Sequence, residues 1–192
     1  MINNNDVLRV IKKFTTDETT KQIINSVNDN QKKCKQWLVD KSKQFITKYQ
    51  NPKICIAAGW YGHLADMLLE YTDQTITSFD IDEQCKLIGK KFYKEKNIRF
   101  VISDMKDFDC NSYDVIICTS CEHIEQSIIN NFLKKRKQNS LVILQSNNYY
   151  KIKEHINCRD TLKHFIDDYI HFNPKYYNQL ELQEYNRYMV IF

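Results

Sequence analysis

Glycine and proline are scarce in this chain, with three and two copies among 192 residues. With so few, no flexible or proline-rich linker divides the sequence, and no low-complexity tract or internal repeat is present. A run of ~18 apolar residues, the length a membrane helix needs, is also missing, so no membrane partner is expected. The opening Met1-Ile2-Asn3-Asn4-Asn5-Asp6 has no basic segment followed by an apolar one, does not read as a signal peptide, and points to the cytoplasm. Among seven cysteines the one C-x-x-C pair is Cys118 and Cys121, without a second pair to complete a site of about four ligands. Reduced thiols and no metal are therefore expected.

What is there is the balance of a soluble globular protein, 42% hydrophobic and 27% charged. A domain of this size buries roughly 70% of the surface its unfolded chain exposes, enough for a core without staples. The net charge of +4 is only mildly basic. Together with abundant Lys, Asn, Ile and Tyr it fits an A- and T-rich coding bias, so the lysine clusters at 32–35 and 134–137 read as solvated helix faces rather than phosphate grips.

Residues 1–50 read as helical, with no strand among them. Val7, Val10, Ile11 and Phe14 recur at helical spacing behind Asp6, an expected N-cap. Cys34, Leu38, Phe45 and Tyr49 mark a longer helix, with Trp37 beside the stripe and Pro52 as its stop. From Lys53 onward short apolar runs alternate with amphipathic stretches, the rhythm of β-α-β units. The runs are 54–58, 76–79, 98–102, 115–118 and 141–144; Leu64, Leu68 and Tyr71, then Cys85, Ile88 and Phe92, then Ile124, Ile128 and Phe132 mark the helices between them. A last helix is predicted over 162–169, then an antiparallel hairpin near 177–182 and 188–192 at one sheet edge. The expected fold is α/β, a three-layer, doubly wound, mostly parallel seven-stranded sheet over residues 51–192. Residues 1–50 would be an N-terminal helical extension, a candidate lid over a ligand site at the sheet.

In an open parallel sheet, ligands sit beyond the carboxyl ends of the strands, so the residues after each run carry the functional information. Ala58-Gly59-Trp60-Tyr61-Gly62 follows the first run as a tight turn into a helix, whose free N–H groups suit a negative group. Asp80-Ile81-Asp82 closes the second run, about 20 residues further on, the spacing at which a carboxylate meets a ribose. Asp82 reads as the next helix's N-cap. Ser103-Asp104-Met105 follows the third run, an acid for an adenine amino group beside an apolar residue for its ring.

With these three features in register, residues 53–146 resemble the class I S-adenosylmethionine-dependent methyltransferases, whose reversed final strand the closing hairpin matches. The resemblance implies that the Ala58–Gly62 loop passes the methionine end of the cofactor, that Asp80 with Ile81 holds the ribose, and that Asp104 with Met105 frames the adenine. Two departures stand out. The family's G-x-G-x-G reads Ala58-x-Trp60-x-Gly62, and the acid two residues before its first glycine is Ile56. Trp60 or Tyr61 would then face the sulfonium through a cation–π contact.

After the fourth run comes Thr119-Ser120-Cys121-Glu122-His123, which in the family lines the junction of cofactor and acceptor. Thr119 is assigned to the cofactor, and His123 or Glu122 to removal of a proton from the acceptor; the plainer alternative makes Glu122 a helix cap with His123 packed beneath it. Gln145-Ser146-Asn147-Asn148-Tyr149 is a further candidate wall. His155, His164 and His171 read as structural or exposed. The acceptor is an unidentified small molecule or a nucleic acid; the Asn-Pro-Pro-Tyr type segment of base methylation is absent, which leans toward a small molecule. A homo-oligomer is compatible with the sequence. Rival readings are an RNA methyltransferase, a catalytically silent scaffold that binds the same cofactor, and a nicotinamide oxidoreductase that uses Ala57-x-Gly59-x-x-Gly62 as its fingerprint.

Overall fold

Each apolar run becomes a strand: β1 (Ile54–Ala57), β2 (Ile76–Asp80), β3 (Ile98–Ile102), β4 (Val115–Cys118) and β5 (Leu141–Asn147). The closing hairpin is β6 (Tyr176–Glu181) and β7 (Asn186–Ile191). The computed structural model describes residues 4–13 and 17–192; Phe14 of the first predicted helix lies outside them. The sheet order is β3-β2-β1-β4-β5-β7-β6. The first five strands are parallel, and β7 runs antiparallel to both β5 and β6. Chain order reverses between β1 and β4, so a crevice opens at their carboxyl ends.

Alternation along the strands divides the core. On β1, Cys55 and Ala57 face Phe79, Phe132 and Phe165, while Ile54 and Ile56 face Leu38, Ile46 and Leu64. Helices α3 (Asp29–Ile46) and α4 (His63–Leu68) cover the second face, and α6 (Gln126–Lys134) and α7 (Leu162–Asp167) the first. A third cluster binds α1 (Asn4–Ile11) and α2 (Asp17–Ser26) to α5 (Glu83–Phe92) and β3 through Val10, Ile23, Ile88 and Phe100. No helix among the described residues is long and apolar enough to cross a membrane.

Several boundaries differ from the sequence reading, each for a local reason. Asp6 is not an N-cap, because α1 already begins at Asn4; it lies in the first turn and pairs with Arg9 at 3.3 Å, still the favourable end of the helix dipole. The predicted single long helix has a companion, α2, and Asn28 caps α3 by accepting from the Gln31 N–H at 2.8 Å. α3 ends at Ile46 with Thr47 as its cap, well short of Pro52. Asp82 does cap α5, accepting from the Gln84 N–H at 2.9 Å. β5 continues past Leu144 because Gln145, Ser146 and Asn147 pair with Met189, Tyr188 and Arg187 of β7. Gln145 and Ser146 are therefore buried strand residues rather than a polar loop. Glu122 caps no helix either: it lies in a short turn, Cys121–His123, and the N-cap position of α6 falls on Glu125.

A buried histidine gives the fold a pH dependence. His63 on α4 is held between the Ser26 hydroxyl at 2.9 Å and the Tyr93 hydroxyl at 2.7 Å. Burial, with a smaller contribution from Lys35, pushes its pKa down to about 3. The unfolded chain binds a proton at this residue below its ordinary value near 6.5, whereas the folded chain does not until about 3. The stability tied to a neutral His63 is thus complete above pH 6.5 and lost progressively as pH falls toward 3. Denaturant titrations across that range should show a shallower acid decline in a His63→Gln variant than in the parent; equal slopes would clear His63 of the effect.

Candidate active site

The crevice at the strand ends has a volume of about 940 Å³, within the range of small-molecule and cofactor sites. It gathers Ala58, Gly59, Trp60, Asp80, Ile81, Asp104, Met105, Thr119, Glu122 and His123 into one space. Tyr61 and Gly62 do not line it. Tyr61 turns into the cluster beneath α1 and α2, where its hydroxyl meets Gln22 Oε1 at 3.3 Å. Gly62 serves packing: a Cβ there would lie 2.6 Å from the Phe100 ring, and its φ of 83° suits glycine.

The turn after β1 keeps a glycine-loop backbone without the glycines. Ala58, Trp60 and Gly62 have φ of 47°, 49° and 83°, so the positions at which G-x-G-x-G carries glycine are all left-handed. For the two non-glycines such a conformation costs about 1–2 kcal/mol each and persists only where surroundings enforce it. Here the Trp60 N–H donates to Asp80 Oδ2 at 3.0 Å, and the Gly59 N–H donates to the Phe79 carbonyl at 3.0 Å. The same carboxylate accepts the Asp82 N–H on Oδ1 at 3.2 Å. The Ile81 N–H and the Cys85 thiol bond to this carboxylate as well, which fixes it at the crevice where the hydroxyls of a ribose would meet it. Burial raises the Asp80 pKa, and the backbone N–H groups oppose that rise.

Beside Asp80 the Ser103 N–H donates to the Asp80 carbonyl at 3.0 Å, which ties the ends of β2 and β3 together. Asp104 Oδ1 accepts the Lys106 N–H at 2.9 Å, and Met105 is buried next to it. Ile81 is 69% exposed at the crevice rim. An apolar ring placed here would find Ile81 and Met105, and a polar edge would find Asp104.

The other end of the crevice is built on a buried ion pair. Glu122 and Arg187 are 4% and 7% exposed, and Arg187 Nη1 donates to Glu122 Oε1 at 2.6 Å. Asn147 Nδ2 donates to the same oxygen at 2.8 Å, while Oε2 has no hydrogen-bond partner. Arg187 also donates through Nη2 to the Thr119 carbonyl. Glu122 thus fixes the turn to β5 and β7. His123 is more open, its ring 4.5 Å from that of His155. Burial, with His155 adding to it, lowers the His123 pKa despite Glu122. His155 Nδ1 lies 2.5 Å from the Tyr149 carbonyl, which can only accept, so Nδ1 carries the proton. Among the described residues, ligand atoms of Glu122, His123 and His155 lie within 4.8 Å of one another.

Sequence reading missed His155, Lys35 and Arg187 at this crevice. Lys35 reaches it from α3, half-buried, with Nζ on Gln31 Oε1 at 2.6 Å, and burial beside Arg187 pushes its pKa down to about 8. A lysine cluster on a helix gives no sign of which member turns inward. Asn147 and Tyr149 of the predicted polar wall do line the crevice.

No protein-family model and no curated protein matches the sequence. Solved structures do. The N-methyltransferase NodS of Bradyrhizobium japonicum WM9, in complex with S-adenosyl-L-homocysteine, superposes with a TM-score of 0.68 at 12% identity over 98% of each chain. Magnesium protoporphyrin IX methyltransferase ChlM of Synechocystis PCC 6803, with the same compound bound, gives 0.66 at 15% identity over 97% of this chain and 98% of that one. The methyltransferase domain of the bacterial CtHen1 gives 0.61 at 16% identity over 86% of this chain and 100% of that one. The chain has the class I methyltransferase fold. In this methyltransferase fold the reversed β7 is also what brings Arg187 beneath Glu122.

Proposed function

We propose that the protein transfers a methyl group from S-adenosylmethionine to a small-molecule acceptor. The observation that carries this reading is Asp80, a strand-end carboxylate fixed by backbone N–H groups in the crevice shared with Asp104, Met105 and His123. When bound, the cofactor would supply an electrophilic methyl on a sulfonium. Asp80 and Ile81 would hold the ribose, Asp104 and Met105 the adenine, and the Ala58–Trp60 backbone with Thr119 the methionine end. Lys35 is the cation we assign to the carboxylate of that end. Transfer is an in-line displacement, so the protein's main task is alignment. Glu122, held by Arg187 and Asn147, orients the turn, and His123 is assigned to the acceptor's nucleophilic atom.

The acceptor end favours a compact ligand. Tyr149, Ile152, Ile156 and Tyr185 supply apolar surface, and Gln22, Asn25 and Gln31 of the N-terminal helices border the opening as a lid would. Its acids Glu125 and Glu184 oppose a phosphate backbone. The reversed β7 also departs from the 3-2-1-4-5-6 sheet of nicotinamide enzymes.

Thermal unfolding with S-adenosylmethionine, S-adenosylhomocysteine or NADH separates these readings. A hundredfold excess over the dissociation constant adds about 2.7 kcal/mol, a rise of roughly 5–11 °C for a chain of this size, and is expected with the first two alone. A rise with NADH only would end the proposal. Labelled methyl groups offered to fractionated extracts should then appear among metabolites; label in RNA would move the acceptor class, and binding without any transfer would favour a scaffold.

A further inference from the structure

We infer that Glu122, His123 and His155 form a binding site for a divalent first-row transition-metal ion at the acceptor end of the crevice. Two imidazoles and a carboxylate suit Zn²⁺, Co²⁺ or Mn²⁺ better than Mg²⁺ or Ca²⁺, which prefer sets made wholly of oxygen. Four observations converge on this set.

The ligand atoms lie within 4.8 Å of one another. Around an ion about 2.1 Å away they would stand roughly 3.4 Å apart, a contraction that side-chain rotation of the exposed His123 can supply. Glu122 is buried, its Oε1 takes both Arg187 and Asn147, and its Oε2 is left without a partner. A buried carboxylate oxygen with nothing to bind is costly, and a metal ion would satisfy it.

The histidines are prepared in the way metal ligands usually are. His155 gives its Nδ1 proton to the Tyr149 carbonyl, which leaves the Nε2 lone pair available, and His123 has a backbone hydrogen bond with Glu154. Imidazoles that bind metals characteristically donate their other nitrogen to a carbonyl or carboxylate, which fixes tautomer and ring orientation. The nearly perpendicular rings, at 85°, let the two histidines converge on a point rather than stack. The Glu122–Arg187 pair is neutral overall, so Arg187 offsets part of the attraction for the cation and the affinity should be moderate.

The site rests on this crevice being where methyl transfer occurs and deepens that reading: His123 would meet the acceptor through the ion, whose open positions face the crevice and can take an acceptor oxygen. The ion and the nucleoside are nonetheless separable. Titrating the chelator-treated full chain with Co²⁺ is expected to give one saturable equivalent with visible d–d absorption and no near-ultraviolet thiolate band, which excludes the seven cysteines. His123→Ala and His155→Ala should each weaken half-saturation roughly tenfold or more, while His164→Ala, whose partner is Asp160, should not. His155→Gln, which keeps a donor for the Tyr149 carbonyl, carries the test if the alanine variant melts early. Absence of the visible band, a thiolate band, or a band indifferent to His155 overturns the site. Co²⁺ binding without S-adenosylhomocysteine binding would leave the ion site standing and remove the methyl-transfer reading; the reverse pattern would do the opposite.

Discussion

Replacing Asp80 by Ala is expected to weaken S-adenosylhomocysteine binding on the order of a hundredfold, read by calorimetry. The ribose would lose two hydrogen bonds to a charged acceptor, each worth about 1.5–3 kcal/mol, partly offset by water entering the crevice. The change also strips the Trp60 and Asp82 N–H groups of their acceptor. Trp60 then has nothing to hold its left-handed backbone, and the turn that borders the methionine end loosens. Asp80→Asn, which keeps one carbonyl oxygen, should fall between parent and Ala. Affinity within twofold of the parent in both variants would remove Asp80 from the site.

The second large effect falls on stability. Glu122→Leu leaves the buried Arg187 guanidinium without its counter-charge, with only the Thr119 carbonyl to accept from it and Nε already lacking a partner. Breaking one side of a buried ion pair costs about 3–5 kcal/mol, a fall of roughly 6–20 °C in melting temperature for a domain of this length. An arginine side chain keeps its proton in proteins, so deprotonation offers no relief. The double variant Glu122→Leu, Arg187→Met removes both charges and should recover most of the loss, because a buried pair exchanged for apolar groups is close to neutral. A double variant as unstable as the sum of its parts would show that the two residues act separately.

Strands β1, β4 and β5 are legible because parallel strands buried on both faces read as continuous apolar runs, and all three are buried at every position. Asp80 was legible because a strand end plus a spacing of about 20 residues from the glycine turn is a local pattern. The Glu122–Arg187 bond joins residues 65 apart through the antiparallel pairing of β5 with β7, and no window of sequence contains both. His155 was dismissed for the same reason: its meeting with His123 follows from the course of the chain after β5. The tight turn predicted at Ala58–Gly62 is kept although two of its glycine positions are filled by Ala58 and Trp60: three residues are left-handed, and Asp80 anchors the Trp60 amide. Of the two rings offered to the sulfonium, Tyr61 is buried in the core with the Trp60 ring 5.2 Å from it, and only Trp60 also borders the crevice.

The most direct measurement is a crystal structure of the protein with S-adenosylhomocysteine. Both ribose hydroxyls should lie within about 3.2 Å of the Asp80 carboxylate, with the adenine between Ile81 and Met105 and the sulfur turned toward His123. A nucleoside found instead in the apolar pocket between the helices, against Ser26, His63, Met67 and Tyr93, or absent from the crevice at saturating concentration, would contradict the account.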